Sequence, residues 1–113
     1  MATVYVPAYN PRRGYIMATY LCLLRWTKEG VEKVKDSPSR LDAGRKAFAA
    51  AGCKINTVLL LMGQYDMAIV AEAPDDATIA RLTLALASKG SVHTETVRAF
   101  TEDEYRKIIA GIS

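Results

Sequence analysis

A histidine and a glutamate two residues apart offer the clearest chemistry in this sequence. His93 and Glu95 lie in a run rich in Val and Thr, and residues two apart on a strand point to the same face of a sheet. An imidazole beside a carboxylate can act as an acid–base pair. The same side chains suit an exposed polar strand or a salt bridge at a subunit contact, so these interpretations stay open.

A second group of candidates comes from the segment Gly-Gln-Tyr-Asp at residues 63–66. Gly63 permits a positive φ and Asp66 can close a turn, so the segment suits a hairpin connection on structural grounds alone. A turn does not by itself require Gln64 or Tyr65, whose polar ends could contact a ligand or a neighbouring subunit. The candidates for acid–base catalysis are therefore His93, Glu95, Tyr65 and Asp66.

Arginines and a tryptophan at strand ends are candidates for ligand binding. Arg98 shares a strand face with Thr94 and Thr96 and could bind an anion. Trp26 ends the first long strand, where it suits a core or interface anchor as well as a binding platform. The ligand-binding candidates are Arg25, Trp26, Gln64, Tyr65 and Arg98.

The hydrophobic periodicity predicts the element order β-α-β-β-α-β-α. The predicted strands cover residues 19–26, 53–62, 67–72 and 91–100. The predicted helices cover residues 28–51 in two pieces, a stretch from Asp75 that ends by Gly90, and a short final helix after a capping box of Thr101 and Glu104. The apolar stripe of that final helix consists of Tyr105, Ile108, Ile109 and Ile112.

The long helical segment carries its own boundary signals. Thr27 can cap its first piece, in which Val31 and Val34 are expected to face the core. Ser37 is expected to cap the second piece, because Pro38 fits only in the first turn of a helix. We therefore expect a break in the helix at this point.

The element order is typical of an α+β protein with a ferredoxin-like split βαβ sandwich. Its four-stranded antiparallel sheet would carry helices on one face. In the first long strand, however, Leu21 and Leu23 point one way while Tyr20, Cys22 and Leu24 point the other. Since the helices can cover only one apolar face, we expect a homo-oligomer that covers the second face in a barrel-type α/β assembly.

The composition excludes several classes of protein. The chain has 113 residues, enough for one domain, and its longest aliphatic stretch, 58–62, is far short of the roughly 20 residues of a membrane span. The formal charge is only +3, and the predicted third strand, 67–72, has no aromatic side chain on which a base could stack. With no leader pattern visible, we expect a cytoplasmic protein that binds neither nucleic acid nor a membrane.

Few residues in the chain are suited to holding a metal or a prosthetic group. Cys22 and Cys53 each lie in a hydrophobic run and are expected to be buried thiols. His93 is the single histidine, so the chain has no set of Cys and His residues at the spacing of a zinc site. His93 could be an axial ligand of a haem, but no motif supports such a site. We expect no metal and no cofactor.

Residues 1–16 differ from the rest of the chain. They contain Pro7, Pro11 and Gly14 among three tyrosines, and Met-Ala-Thr at 17–19 echoes the first three residues. The segment is expected to be an N-terminal extension, either a start called upstream of the real one or an arm that packs on a neighbouring subunit. Residues 17–113 then form the domain proper.

At residues 63–66 the chain resembles the GYD domain family of small bacterial proteins, named for that motif. Three more stretches are similar to the same family: residues 17–20 with 25–27, residues 72–76, and residues 94–96 running into 98–101. The resemblance covers about residues 17–110. It implies a ferredoxin-like fold grouped with the dimeric α/β barrels, and it implies no particular reaction and no catalytic residues.

Two classes of function fit these observations. The first is a homo-oligomer that binds a small ligand or a protein partner at a cleft between subunits. The alternative is a cofactor-independent enzyme, similar to the monooxygenases or isomerases of comparable barrels, that uses the acid–base candidates above.

Overall fold

The computed structural model describes residues 9–10 and 15–113 of the chain, with side chains for residues 17–113. The elements are β1 (Tyr9–Asn10), β2 (Tyr15–Ile16), β3 (Ala18–Trp26), α1 (Lys28–Glu32), α2 (Ser37–Ala50), β4 (Lys54–Leu60), β5 (Met67–Ala73), α3 (Asp76–Ser88), β6 (Val92–Ala99) and α4 (Glu102–Ala110). Strands β1 and β2 pair antiparallel. The rest of the predicted extension lies outside the described residues.

The main sheet has four antiparallel strands in the order β4-β5-β3-β6. Strands β3 and β5 are central, and β4 and β6 form the edges. The predicted α+β architecture, with a four-stranded antiparallel sheet and helices, is confirmed.

The core lies between one face of the sheet and the helices. Alternate residues of β3, namely Tyr20, Cys22 and Leu24, are buried on this face. Phe48 of α2 and Ile79 of α3 belong to the same buried cluster. The alternation predicted from the sequence sorts the residues of β3 into two faces, and the structure shows that the helices cover the face of Tyr20, Cys22 and Leu24.

The opposite face of the sheet, which we call the open face, is apolar and partly exposed. Register places Leu21 of β3 beside Val97 of β6, and Leu23 beside Ala68 of β5, which in turn pairs with Leu59 of β4. Val97 is 42% exposed and Leu59 50% exposed. Helices α2 and α3 pack on the other face, and in the described part of the chain this apolar surface keeps partial access to solvent.

The long helical segment is broken, as its proline predicts. Helix α1 is followed by a short 3-10 helix, Val34–Asp36, and then by α2. Thr27 caps α1, since its hydroxyl accepts a hydrogen bond from the backbone N–H of Gly30 at 3.1 Å. The expected cap at Ser37 is wrong: this residue already has helical backbone angles and is the first residue of α2, and Asp36 precedes it without a capping side-chain bond.

The expected core positions in α1 are also wrong. Val31 is 54% exposed and Val34 39% exposed. Helix α1 has only five residues, and the residue it buries is Gly30. A Cβ on Gly30 would lie 2.1 Å from the backbone oxygen of Ser91, so α1 approaches the start of β6 with its backbone. Val31 of α1 and Val34 of the following 3-10 helix therefore face outward.

The β4–β5 connection is longer than predicted. Strand β4 ends at Leu60, and the connection covers residues 61–66. It is closed by the backbone N–H of Leu61, which donates to the Asp66 oxygen at 2.8 Å. Gly63 has a φ of 138°, which a side chain would disfavour, so the glycine serves the turn as expected.

Helix α4 has the predicted capping box but little cover. Thr101 and Glu104 each accept a hydrogen bond from the other's backbone N–H, at 3.2 and 3.0 Å. The expected place of Ile112 in this helix is wrong, because α4 ends at Ala110 and Ile112 follows it. About half of each side chain in the apolar stripe is exposed, at Tyr105, Ile108 and Ile109, and Ile112 beyond the helix end is exposed as well. The helix is thus stabilised by its own cap while its apolar stripe remains accessible.

The remaining structural expectations concern cysteines, metals and membranes. Cys22 and Cys53 are both buried, as predicted. Across residues 17–113, no three His, Cys, Asp or Glu side chains are grouped so that they could hold a metal ion. None of the helices in the described part of the chain combines the length and apolarity needed to cross a membrane.

Candidate functional site

Most of the candidate side chains meet at one end of the open face. The antiparallel register pairs Arg25 of β3 with His93 of β6, and Leu23 with Glu95. Residues two apart on a strand share a face, so His93 and Glu95 lie on the open face together with Arg25. The connection between β4 and β5 adds Tyr65 to this end of the sheet.

Tyr65 is the centre of this group. Its hydroxyl donates a hydrogen bond to Oε2 of Glu95. The guanidinium carbon of Arg25 lies 5.5 Å from the centroid of the Tyr65 ring, within the range of a cation–π contact. Arg25 Nε also donates to the backbone oxygen of Gln64 at 3.0 Å. We call Arg25, Gln64, Tyr65 and Glu95 the Tyr65 cluster.

The hydrogen bond to Glu95 favours the neutral form of the Tyr65 phenol. That bond is the main cause that raises the pKa of the Tyr65 phenol, with smaller contributions from desolvation and from the charge of Glu95, while Arg25 lowers it. The Tyr65 cluster thus combines a phenol that donates a hydrogen bond with the side chains of Glu95 and Arg25.

His93 lies beside the Tyr65 cluster without joining it. It is exposed, two residues from Glu95 on the same face, and its ring makes no hydrogen bond or ion pair with the described residues. The structure thus brings Tyr65 and Glu95 into contact and leaves His93 as an adjacent exposed imidazole.

Asp66 has a different position. Its carboxylate Oδ2 accepts the backbone N–H of Trp26 at 2.8 Å, and its own N–H donates to the Leu24 oxygen at 2.9 Å. Asp66 therefore ties the β4–β5 connection to β3, a positioning contact that holds Tyr65 over the sheet. Trp26 points to the helix side, where it lines a cavity beside Leu24.

Arg98 does not belong to this site. It lies on the helix side of β6, opposite Tyr20, five residues along β3 from Arg25 or roughly 17 Å away. Its guanidinium carbon is 4.4 Å from the Phe100 ring centroid and 5.6 Å from that of Tyr20. It also donates to the backbone oxygen of Thr19 at 3.1 Å.

Two features escaped the sequence analysis. Tyr20 is only 3% exposed and donates through its hydroxyl to Asp76, the first residue of α3. Burial is the largest cause of the raised pKa of Tyr20, and the bond to Asp76 adds to it. The other feature is the exposure of the apolar stripe of α4. Periodicity predicted the stripe, yet periodicity cannot say whether a neighbouring element covers it.

Comparison with known proteins identifies relatives of the chain. The GYD domain profile matches residues 20–109. A protein of Thermus thermophilus, named "Glutamine synthetase and cystathionine beta-lyase binding protein", is 36% identical over 84 residues, which cover 74% of this chain and 88% of that protein. No solved structure matches the chain.

Proposed function

This chain belongs to the GYD domain family, and from that membership and its exposed apolar surfaces we propose that it is a cytoplasmic, homo-oligomeric module that binds a protein partner. The observation that carries the proposal is the exposed apolar stripe of α4 in a chain whose relative is named for binding two proteins. The proposed place of binding is a cleft between subunits, next to the open face.

Self-association through the open face has a simple physical reason. Leu59 and Val97 are about half exposed on a surface that also carries Leu21 and Leu23. An exposed apolar patch of this kind marks an interaction site. Two copies that bring their open faces together would bury it, and a barrel-type assembly is the arrangement we propose.

The α4 stripe suits a protein partner. Its helical residues, Tyr105, Ile108 and Ile109, stand at positions i, i+3 and i+4, and Ile112 follows shortly after the helix ends at Ala110. This is the spacing by which an amphipathic helix inserts into an apolar groove of another protein. Helix α4 begins three residues after the end of edge strand β6, so the stripe starts beside the edge of the surface that we propose for self-association.

The relative's name gives the first partners to test. Glutamine synthetase and cystathionine β-lyase are the two proteins in that name, and we propose that this chain binds a partner of the same kind. The polar Tyr65 cluster, at one end of the open face, is proposed to orient a contact with a neighbouring subunit or the partner through its Arg25 guanidinium and Glu95 carboxylate.

The test is direct binding of the full chain to each enzyme, purified from the same source, by biolayer interferometry. Ile108→Glu places a charge in the middle of the α4 stripe and should weaken binding by about tenfold or more, the usual effect of losing a central apolar contact. Leu84→Glu is the matched control, since Leu84 is 69% exposed on α3 and lies outside the stripe.

Binding to neither enzyme would contradict the assignment of the partner. Equal binding by the Ile108→Glu variant, the Leu84→Glu variant and the parent chain would contradict the assignment of the α4 stripe. Both variants should retain the far-ultraviolet circular dichroism of the parent, because both positions are exposed in the folded chain.

A second candidate function is a cofactor-independent acid–base enzyme. The contact between Tyr65 and Glu95, with His93 adjacent on the open face, is the observation that favours it. In this reaction class Tyr65 would be the proton donor, because a phenol is protonated at neutral pH and its hydroxyl lies at the open face beside Glu95. Asp66 supports this function less, because its carboxylate accepts a backbone N–H of β3.

A further inference from the structure

A cavity of about 140 Å³ lies between the sheet and the helices of a single chain. Most of its lining is apolar: Leu24 and Ile69 come from the central strands, Phe48 from α2 and Leu86 from α3. This space lies on the helix side of the sheet, away from the open face and from the Tyr65 cluster. It is therefore independent of the surfaces proposed above for protein binding.

The size of the cavity selects a class of ligand. Cavities of about 150 Å³ lined by Leu, Ile and Phe stay dry and bind a benzene-sized molecule. Part of this space exists because Gly44 of α2, which lines the cavity, has no side chain. The atom nearest to a Cβ built on Gly44 is Cδ2 of Leu86, at 4.0 Å, so a larger side chain at this position would enter the cavity.

The lining has four polar residues, and the two charged ones among them are both cations. The four are Ser37, Arg40, Lys89 and Ser91. The Arg40 guanidinium is held by the backbone oxygens of Lys33, at 2.9 Å, and Gly30, at 3.4 Å. The exposed Lys89 ammonium makes no hydrogen bond or ion pair with the described residues. A ligand with its apolar body in the cavity would thus meet a cation where the lining reaches solvent.

We propose that this cavity binds a small monocarboxylate with a benzene-sized apolar body, of the aromatic or branched-chain class. The body fills the space between Phe48, Ile69 and Leu86, and the carboxylate pairs with Lys89 at the solvent side. The binding is non-covalent, and one chain supplies the whole site.

Benzoate and benzamide are the probes that test the site. They share one shape and differ in charge, and amide shifts of the full, isotope-labelled chain in nuclear magnetic resonance titrations give both affinities. Benzoate should bind roughly fivefold tighter at low ionic strength, the upper range for a solvent-exposed ion pair. Lys89→Met should abolish this preference and leave the affinity for benzamide unchanged.

Variants whose side chains fill the cavity distinguish binding in the cavity from unspecific binding to the protein surface. Gly44→Leu should abolish binding of both probes, whereas Ala47→Leu, on the exposed side of α2, should bind them as the parent does. If Gly44→Leu folds poorly, Leu86→Phe introduces the obstruction from α3 instead. Absence of binding in the parent, or full binding in a folded filled variant, overturns the site. Equal affinity for the two probes overturns the assignment of a carboxylate ligand.

Discussion

At the scale of single residues, one buried hydroxyl connects the two layers of the protein. Tyr20 lies in the core on β3, and its hydroxyl donates to the Asp76 carboxylate at the start of α3. The pKa of Tyr20 is raised above 10.0, its ordinary value, mainly by burial. The folded state therefore favours the neutral phenol, and this preference makes stability depend on pH in the alkaline range.

The Tyr20→Phe variant tests this contact. Its free energy of unfolding should fall by about 1–3 kcal/mol at neutral pH, because a hydrogen bond to a charged group is lost. Above about pH 10 the phenol of Tyr20 ionises in the unfolded parent while it stays neutral in the folded parent. The stabilisation by Tyr20 is therefore complete below that pH and is lost as the pH rises further. Urea unfolding between about pH 8 and pH 11 should show the two proteins converging.

Tyr105→Phe is the control for that measurement, since Tyr105 is exposed on α4. Its unfolding free energy should run parallel to that of the parent across the same pH range. A constant difference between Tyr20→Phe and the parent at every pH would contradict the role assigned to the buried phenol.

At the scale of elements, glycines decide how closely the helices approach the sheet. Gly30 brings the backbone of α1 against Ser91 at the start of β6, while Gly44 leaves a space between α2 and α3. The two residues are both helical glycines, yet the first supports a backbone contact and the second borders a cavity.

Alanine at these two positions should have opposite effects. Gly30→Ala should lower the free energy of unfolding by about 1–3 kcal/mol, the range of an overpacked core, because the new Cβ would lie 2.1 Å from the Ser91 oxygen. Gly44→Ala should raise it by up to about 1 kcal/mol, since alanine favours a helix and meets no close atom here. Chemical denaturation of the two variants beside the parent measures both. Similar effects at the two positions would contradict this account of the helix contacts.

At the scale of the whole molecule, the described part of the chain leaves apolar surface exposed in two places. One is the open face, with Leu59 and Val97, and the other is the apolar stripe of α4. A single layer of helices covers a single face of the sheet, and α4 follows the edge strand β6. The exposure of both surfaces is therefore a property of the topology, and the association proposed above would cover them.

The proposed self-association predicts the behaviour of a charged variant. Val97→Lys places an ammonium on the open face and should weaken association by about tenfold or more, because a charge would be buried without a partner. Sedimentation velocity over a range of concentrations measures this change. Leu84→Lys, on α3, is the matched control and should associate as the parent does. A parent chain that remains monomeric, or a Val97→Lys variant with unchanged association, would contradict the open face as the subunit interface.

The sequence predicts many of the residues in the candidate site, but it predicts few of the contacts between them. Glu95 and His93 share a face because strand periodicity requires it. The contact of Glu95 with Tyr65 depends on where the β4–β5 connection lies, and Asp66 fixes that by bonding to β3. Arg98 was grouped with the ligand-binding candidates, but it packs on Tyr20 and Phe100 on the other face.

The sequence by itself determined the features that depend on near neighbours along the chain. The helix caps at Thr27 and Thr101, the turn at Gly63 and the alternation of β3 are all set by residues within a few positions of one another. Only the tertiary structure decided which surfaces stay exposed, how Gly30 meets Ser91 and how Tyr20 meets Asp76. These outcomes depend on the packing of segments that are distant in the sequence, and the local pattern of a segment carries no information about what will lie against it.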